Sequence, residues 1–158
     1  MSIHDEFVKY PMGKIGKGGW CDSCGRFNAR YVCVHALVVR GGKMLMIERK
    51  LDPMKGWWAL PAGYLAWDET VEEGVLRELA EETGLEGRVK GLLGVYSAVD
   101  RDEDGRQNIA ITYVVEVDEE QTARAGDDAE RVEWFDLKEL PEKIAFDHRQ
   151  MIEDIGRI

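Results

Sequence analysis

The segment from Thr70 to Gly84 constrains the fold most, because it carries signals for both ends of one helix. Thr70 followed by Glu73 matches a capping box, in which two side chains satisfy backbone N–H groups of the first turn. Gly84 stands where helices commonly end in a left-handed residue. The sequence therefore predicts a helix over residues 70–83, and the flanking segments must provide a surface for it.

Strand-like sequence lies on both sides of this helix. Residues 31–39 are rich in β-branched side chains, and Gly41-Gly42 joins them to an alternating run at 43–48, which predicts a β-hairpin. Further strands are predicted at residues 89–99, 108–117 and 132–135, and a second helix at 145–155. Gly91 and Gly94 predict a bend or bulge in the first of these strands. Hairpins combined with two helices predict an α+β fold in which helices cover a mixed sheet.

Residues 1–30 differ from the rest of the chain, with glycines spaced between lysines ahead of two cysteines. They predict an irregular N-terminal arm containing a CxxC motif, followed by one domain over residues 31–158. The CxxC spacing is that of half a zinc ribbon, and residues two apart on a strand point to the same face. A structural Zn²⁺ site is one hypothesis and free thiols are the other. The zinc ligands would be Cys21, Cys24, Cys33 and His35.

The charge balance limits the classes of partner. The chain of 158 residues has 31 acidic and 21 basic side chains, and its formal net charge is −10. This is the wrong sign for holding a polynucleotide backbone, so we expect no nucleic-acid partner. An acidic protein can still bind a small phosphate ester when divalent cations bridge carboxylates to phosphate.

Location is also constrained by composition. No apolar stretch approaches the roughly 20 residues that span a bilayer, so we expect no membrane partner. The first residues lack the pattern of a secretory signal, and three cysteines are an odd number for a disulfide framework. These features predict a globular protein of the reducing cytoplasm.

Three glutamates of the predicted helix lie on one face. At about 100° per residue, Glu78, Glu81 and Glu82 share an arc of roughly 100°, beside an apolar stripe that faces the core. Carboxylates this close repel one another, and oxygen ligands favour a hard cation such as Mg²⁺ or Mn²⁺. A solvated acidic face is the ordinary alternative, and the spacing of the three acids alone does not decide between them.

The full sequence pattern around these acids favours the metal site over a solvated acidic face. Gly63 is followed after five residues by Glu69, and after seven more by Arg77-Glu78-Leu79, one residue, Glu81-Glu82, one residue and Gly84-Leu85. This resembles the Nudix box of the Nudix hydrolase family, with every defining position filled. The resemblance implies an α/β/α sandwich from about Tyr31 onward. It also implies an enzyme that cleaves a nucleoside diphosphate linked to another group.

The resemblance also assigns roles to residues. It implies that Glu78, Glu81 and Glu82 hold Mg²⁺ or Mn²⁺ at the pyrophosphate, with the Gly63 carbonyl as a further ligand. The guanidinium of Arg77 can pair with Glu81 one turn ahead or with Glu69 before the helix. We therefore expect Arg77 to organise the carboxylates.

The resemblance constrains the position of the general base less, because Nudix enzymes place it either in the Nudix box or on a loop nearer the C-terminus. Glu78 is one candidate. The other candidates lie in the acidic segment 125–134, where Glu130 ranks first and Asp128 second. A charged surface turn is the simpler account of that segment.

The expected substrate is based on a less specific resemblance. Residues 94–117 and 135–152 look like those of ADP-ribose pyrophosphatases, although the proline that this subgroup often carries near position 100 is absent. ADP-ribose or a related nucleotide sugar is the expected small-molecule substrate, and relatives are often homodimers. Adenine could stack on an aromatic residue, and phosphate could meet an arginine in the turn after residue 99. The candidates for these contacts are Trp57, Trp58, Tyr96, Arg101 and Arg106.

Two alternatives stay open at this point. One is a Nudix enzyme that hydrolyses (deoxy)nucleoside triphosphates or dinucleoside polyphosphates. The other is a non-catalytic module that senses a nucleotide sugar. The complete set of box acids favours an enzyme, and no basic face suited to DNA accompanies them.

Overall fold

Strands dominate the part of the chain that the computed structural model describes, which is residues 19–21, 26–27, 29–102, 105–126 and 128–157. The chain divides into two units, Met1–Arg30 and Tyr31–Ile158. In the first unit, strand β1 (Trp20–Cys21) pairs antiparallel with β2 (Arg26–Phe27). Cys24, one of the cysteines of the predicted zinc site, lies outside the described residues.

The second unit contains the remaining strands and two helices. Its strands are β3 (Val32–Leu37), β4 (Val39–Arg40), β5 (Lys43–Arg49), β6 (Trp58–Ala59), β7 (Ala62–Tyr64), β8 (Gly87–Tyr96), β9 (Ile109–Val117) and β10 (Ala129–Asp136). Helix α1 spans Val71–Thr83 and helix α2 spans His148–Asp154, followed by a 3₁₀ turn at Ile155–Arg157.

These strands form two sheets. The first has the order β7-β3-β9-β8 and is mixed, because β3 runs parallel to β9 while the other pairs are antiparallel. The second has the order β10-β5-β4, with β6 also paired to β5, and is antiparallel throughout. The predicted α+β class with a mixed sheet is thus confirmed.

The predicted hairpin is only partly correct. Residues 31–39 do not form one strand, because the chain leaves the first sheet at Val38 and enters the second sheet as β4. Only β4 and β5 form the hairpin around Gly41-Gly42. The reason is burial: residues 34–38 are all at most 4% exposed, so both faces of this run are covered. A run covered on both faces is typical of a central strand and not of a hairpin arm.

The observed caps of helix α1 confirm the helix ends predicted from the sequence. The Thr70 hydroxyl accepts the Glu73 backbone N–H at 3.2 Å, the Glu73 carboxylate accepts the Thr70 N–H at 2.8 Å, and Gly84 ends the helix with φ 68°. The buried side chains of Val75 and Leu79 pack on the mixed sheet. The acidic face of the helix is therefore turned toward β7 and the loops around it.

The ends of the other elements differ from the sequence prediction by a few residues. Register shifts between Val89 and Gly91 and between Leu92 and Gly94 confirm the bulges in β8. Helix α2 begins three residues later than predicted, because Phe146 has φ 52°, which is incompatible with a right-handed helix. Within the described ranges, no helix is long and apolar enough to cross a membrane.

Candidate active site

Strand β7 brings Gly63 against helix α1. Gly63 pairs with Val34 of the central strand β3, which fixes its position in the sheet. A Cβ atom placed on Gly63 would overlap the carboxyl group of Glu78. Only glycine leaves space here, so the Glu78 carboxyl group lies directly against the Gly63 backbone.

Glu82 is the most deeply buried of the three acids, with 6% of its surface exposed. Its Oε2 accepts the Ala62 N–H at 2.9 Å. Burial raises the pKa of Glu82 to about 8, and although the Ala62 hydrogen bond lowers it, the neighbouring Glu78 and Asp128 add to the rise. Burial likewise raises the pKa of Glu78. Negative charge is therefore disfavoured here until a cation compensates it.

Arg77 joins the other carboxylates. Its guanidinium binds Glu69 in a bidentate pair, with Nε to Oε2 at 2.8 Å and Nη2 to Oε1 at 2.7 Å. Its Nη1 also donates to Glu78 Oε1 at 2.7 Å and to Glu81 Oε2 at 3.0 Å. Both contacts that the sequence allowed for Arg77, with Glu69 and with Glu81, are present. Glu69 in turn occupies the space beside Gly74, where a Cβ would lie 2.9 Å from its Oε1.

We name the space between these groups the acidic cavity, with a volume of about 270 Å³. It is lined by Ala62, Gly63, Tyr64, Glu78, Glu81, Glu82 and Asp128. The bonds to Arg77 and Ala62 engage one carboxylate oxygen of each glutamate, and among the described residues no hydrogen bond engages the other oxygen. These donors are all oxygens, which suits Mg²⁺ or Mn²⁺. In the described part of the chain no three such ligands stand in a ready-made ion site. The fit is therefore one of donor chemistry and not of preformed geometry.

Asp128 and Glu130, the later-loop candidates for the general base, are placed differently. Both are exposed, but Asp128 lies on the wall of the acidic cavity, whereas Glu130, on β10, is not part of that wall. The segment before Asp128 is tied to the end of α1, because the Arg124 and Gly126 N–H groups donate to the Thr83 and Glu82 carbonyls at 2.8 and 3.1 Å. The geometry thus favours Asp128 over the residue that the sequence ranked first.

A second space, which we name the inner cavity, continues from the first and has a volume of about 220 Å³. Both cavities share Ala62, Gly63, Tyr64, Glu82 and Asp128. The inner cavity extends to residues of β3 and β5 and to the segment before α2, among them Cys33, His35, Arg49, Phe146 and His148. The pyrophosphate and one organic half of a substrate can therefore occupy adjoining spaces.

Two buried histidines form part of the inner cavity wall. The rings of His35 and His148 meet edge to face, with centroids 4.9 Å apart. Burial lowers the pKa of His35 to about 3 and the pKa of His148 well below its usual value. His148 Nδ1 accepts the Leu60 N–H at 3.0 Å, so its own proton lies on Nε2. Both rings are neutral at physiological pH.

The zinc hypothesis keeps two of its ligands on one face, since Cys33 and His35 both line the inner cavity. Burial raises the pKa of the Cys33 thiol to about 12, which opposes zinc binding because zinc coordinates the thiolate. Cys21 belongs to the other unit, and Cys24 is outside the described residues. The zinc site stays a prediction.

The aromatic residues proposed from sequence lie in the packed interior. Trp58 packs edge to face on Phe135 at 4.7 Å, Trp57 packs against a buried cluster, and the Tyr96 hydroxyl donates to Asp154 at 3.0 Å. Tyr64 and Phe146 are instead the aromatic residues on the inner cavity wall. No sequence signal identified Phe146, because its position on the cavity wall depends on a backbone conformation that the sequence pattern does not reveal.

The two arginines of the β8–β9 turn also differ from each other. The side chain of Arg101 is buried and forms a bidentate pair with Asp147, at 2.9 and 2.7 Å, and a further pair with Asp102 at 3.2 Å. Its charge is thus compensated within the protein. Arg106 lies on the inner cavity wall and donates to the Tyr64 hydroxyl at 3.1 Å.

Comparisons with known proteins agree on one family. A family model described as NUDIX domain matches residues 29–155. An ADP-ribose pyrophosphatase of Methanocaldococcus jannaschii is 48% identical over 126 residues, which cover 80% of this chain and 73% of that protein.

Solved structures of Nudix proteins also match this chain. A bifunctional NMN adenylyltransferase/ADP ribose pyrophosphatase of Francisella tularensis, complexed with AMP and a Mn ion, matches with a TM-score of 0.71 and 26% identity, over 98% of this chain and 44% of that one. The NUDIX domain of Shewanella oneidensis NrtR, complexed with ADP ribose, matches with a TM-score of 0.74 over 99% and 98% of the two chains. Its 24% identity makes that likeness one of fold.

Proposed function

Because this chain belongs to the Nudix hydrolase family, we propose that it hydrolyses the pyrophosphate linkage of ADP-ribose or a related nucleotide sugar. With ADP-ribose, one water would be consumed and the products would be AMP and ribose 5-phosphate. The observation that carries this proposal is the junction of the two cavities, where buried carboxylates adjoin a pocket for an organic group. The 48% identity to an ADP-ribose pyrophosphatase supports the choice of substrate.

Nudix hydrolases generally use divalent metal ions. In this chain the carboxylates of Glu78, Glu81 and Glu82 and the carbonyl of Gly63 would hold Mg²⁺ or Mn²⁺. When bound, such an ion neutralises phosphate charge and makes a water more acidic. The raised pKa values of Glu78 and Glu82, which are caused mainly by burial, agree with this role, because a buried carboxylate is stabilised in its charged form by a neighbouring cation.

The remaining chemistry falls to side chains of this chain. Arg77 holds Glu78 and Glu81 by one nitrogen and is itself fixed by the bidentate pair with Glu69, so it orients the carboxylates. Asp128 is our candidate for the general base, since its carboxylate lines both cavities. It would accept the proton of the attacking water as the new P–O bond forms and the bridging P–O bond breaks.

A product-resolved assay tests this function. The purified chain with Mg²⁺ is offered ADP-ribose, other nucleotide sugars, nucleoside triphosphates and dinucleoside polyphosphates, and the products are separated by ion exchange. We expect AMP and ribose 5-phosphate from ADP-ribose, at the highest kcat/KM of the panel. Turnover of triphosphates without turnover of ADP-ribose would contradict the substrate, and tight binding without turnover in Mg²⁺ or Mn²⁺ would support the sensor alternative.

The cytoplasmic location and the homodimer predicted from sequence stay predictions. Gel filtration with light scattering would measure the oligomeric state.

A further inference from the structure

Left-handed backbone conformations surround the inner cavity. Among the described residues, Met54, Gln107 and Phe146 are not glycine and have φ values of 60°, 57° and 52°. Phe146 lines the cavity, and Gln107 stands between two residues that line it. Met54 contacts Phe146 directly, because its Sδ accepts the Phe146 N–H at 3.3 Å. Such conformations are unfavourable for residues with a Cβ and concentrate at functional sites.

Phe146 is the most unusual of the three, because a bulky residue with positive φ is an outlier. Its ring is held from two directions. The Arg49 guanidinium lies over the ring with Cζ 5.0 Å from the centroid, and the His148 ring lies 5.6 Å away at 49°. Arg49 is fixed in turn by its Nε, which donates to the Pro53 carbonyl at 2.8 Å. Ring and guanidinium together form a stacked pair, which we name the Phe146–Arg49 platform.

Filling the core accounts for only part of this arrangement, although Phe146 does pack against the buried cluster of Ile47, Ala59, Ala129 and Ala145. Phe146 is only half-buried, and its side chain faces a cavity that also contains polar groups. A fold that needed only apolar volume would gain more from a residue without backbone strain. The platform therefore indicates a surface kept for a ligand with a flat face.

The charged side chains that line the inner cavity are mixed in sign. Its described lining contains four cationic and four acidic side chains, so their formal charges cancel. These are Arg49, Lys50, Arg101 and Arg106 on one side and Asp52, Glu82, Asp102 and Asp128 on the other. The two histidines add no charge, and His148 offers a neutral Nε2–H donor.

Both organic halves of ADP-ribose are uncharged beyond their phosphates, but only one of them is flat and aromatic. We propose that the nucleobase half of the substrate enters the inner cavity and stacks on the Phe146–Arg49 platform. Phe146 and Arg49 are then residues that determine specificity for the base. This inference rests on the proposed function and adds which half of the substrate lies beyond the metal-binding carboxylates. Arginine and aromatic faces both stack on nucleobases.

The two expected products provide a matched pair of probes. AMP and ribose 5-phosphate each carry one phosphate on a ribose, and they differ in the presence of the base. Their affinities for the full chain in Mg²⁺ are measured by calorimetry, because neither can be hydrolysed at a pyrophosphate. We expect the parent protein to bind AMP roughly 5-fold or more tightly than ribose 5-phosphate, as one stacked base contributes.

Two substitutions sharpen the test. Phe146→Leu should weaken AMP binding roughly 5-fold or more while leaving the affinity for ribose 5-phosphate unchanged. Phe146→Tyr keeps the ring and should keep the preference for AMP. Phe135→Leu is the matched control, because it makes the same change in a half-buried aromatic that packs on Trp58. It should leave both affinities at the parental level.

Three outcomes would overturn the inference: no preference of the parent for AMP, equal weakening of both ligands by Phe146→Leu, or an equal effect of Phe135→Leu. If Phe146→Leu fails to fold, the parental preference and the Phe146→Tyr variant still decide. Hydrolysis of ADP-ribose by the parent is measured separately. Parental hydrolysis without a base preference defeats this inference alone, whereas a base preference without hydrolysis of ADP-ribose defeats the proposed function alone.

Discussion

The acidic cavity and the inner cavity adjoin each other but are built in different ways. Most of the acidic cavity comes from one stretch of chain, residues 62–82, in which a strand and a regular helix present their side chains. The inner cavity takes residues from β3, β5, the β8–β9 turn and the segment before α2. Its irregular parts include residues in left-handed conformations. The proposed catalytic cavity is thus formed mostly by one local segment, whereas the proposed recognition cavity is formed by distant segments.

The same physical cause acts in opposite directions in the two cavities. Burial disfavours charge of either sign, so it raises the pKa of Glu82 to about 8 and lowers the pKa of His35 to about 3. A dication can compensate the carboxylates, whereas the histidines are already in their stable neutral form. The acidic cavity therefore favours a bound cation, whereas the neutral histidines of the inner cavity do not require one.

The largest expected effect comes from Glu82→Gln. It should lower kcat by about 10³-fold, because several kcal/mol of metal-assisted stabilisation would be lost. The fold should persist, since the amide oxygen can still accept the Ala62 N–H and a repelling charge is removed. Steady-state kinetics and Mg²⁺ titration check this, with thermal unfolding as the control. Near-parental activity would contradict the assignment of the acidic cavity.

Asp128→Asn should lower kcat on the order of 10²-fold, as expected for removal of a general base. Glu130→Gln is the matched comparison, because Glu130 is exposed on β10. We expect it to have little effect. The kcat of both variants is measured across pH, and a larger loss for Glu130→Gln would restore the ranking made from sequence.

Arg77→Lys should lower activity roughly 10-fold, in the range found when a residue supporting metal ligands is removed. Lysine keeps the charge but cannot form the bidentate pair with Glu69 while also reaching Glu78 and Glu81. The fold should change little. An unchanged kcat with an unchanged Mg²⁺ affinity would show that Arg77 does not orient the carboxylates.

The free energy of unfolding should depend on pH because of the two buried histidines of the inner cavity. His35 and His148 have lowered pKa values in the folded state, so below pH 6.5 the unfolded chain takes up protons that the folded chain does not. Stability contributed by these neutral rings is present above that pH and is lost as pH falls toward 3. Each histidine contributes a slope of at most about 1.4 kcal/mol per pH unit. Urea unfolding of the parent and of His35→Asn measures it, and equal slopes would contradict the prediction.

The smallest effect concerns backbone strain at Phe146. Alanine pays about 1–2 kcal/mol in a left-handed conformation, which glycine avoids. We therefore expect Phe146→Gly to be at least as stable as Phe146→Ala. At Phe135, in strand β10, the order should be reversed. Chemical denaturation of the four variants compares the two positions, and the same order at both would mean that Phe146 is not strained.

Local signals were sufficient to predict the acidic cavity. Capping and spacing along one helix gave the positions of α1 and of its three glutamates, because a helix fixes which side chains share a face. Glu69 precedes the helix, and its pairing with Arg77 was expected from its position just before the first turn. Gly63 was identified only through the resemblance to the Nudix box, and the structure shows why glycine stands there.

The inner cavity could not be predicted in this way. The exchange of sheets at Val38 depends on what covers β3 from both sides, and no short window of sequence contains that information. Asp128 and Glu130 differ by two positions in sequence, and only the bonds to the end of α1 separate their surroundings. Phe146 is distinguished by φ, which depends on contacts with Met54 and Arg49 from distant segments.

The tie between residues 124–126 and the last turn of α1 has a dynamic consequence. The Glu82 and Thr83 carbonyls accept the Gly126 and Arg124 N–H groups, so fraying of the helix end would break these bonds at the same moment, while the Lys50 N–H still holds the Asp128 carbonyl at 3.1 Å. Helix end and loop should then open as one cooperative unit in amide hydrogen exchange.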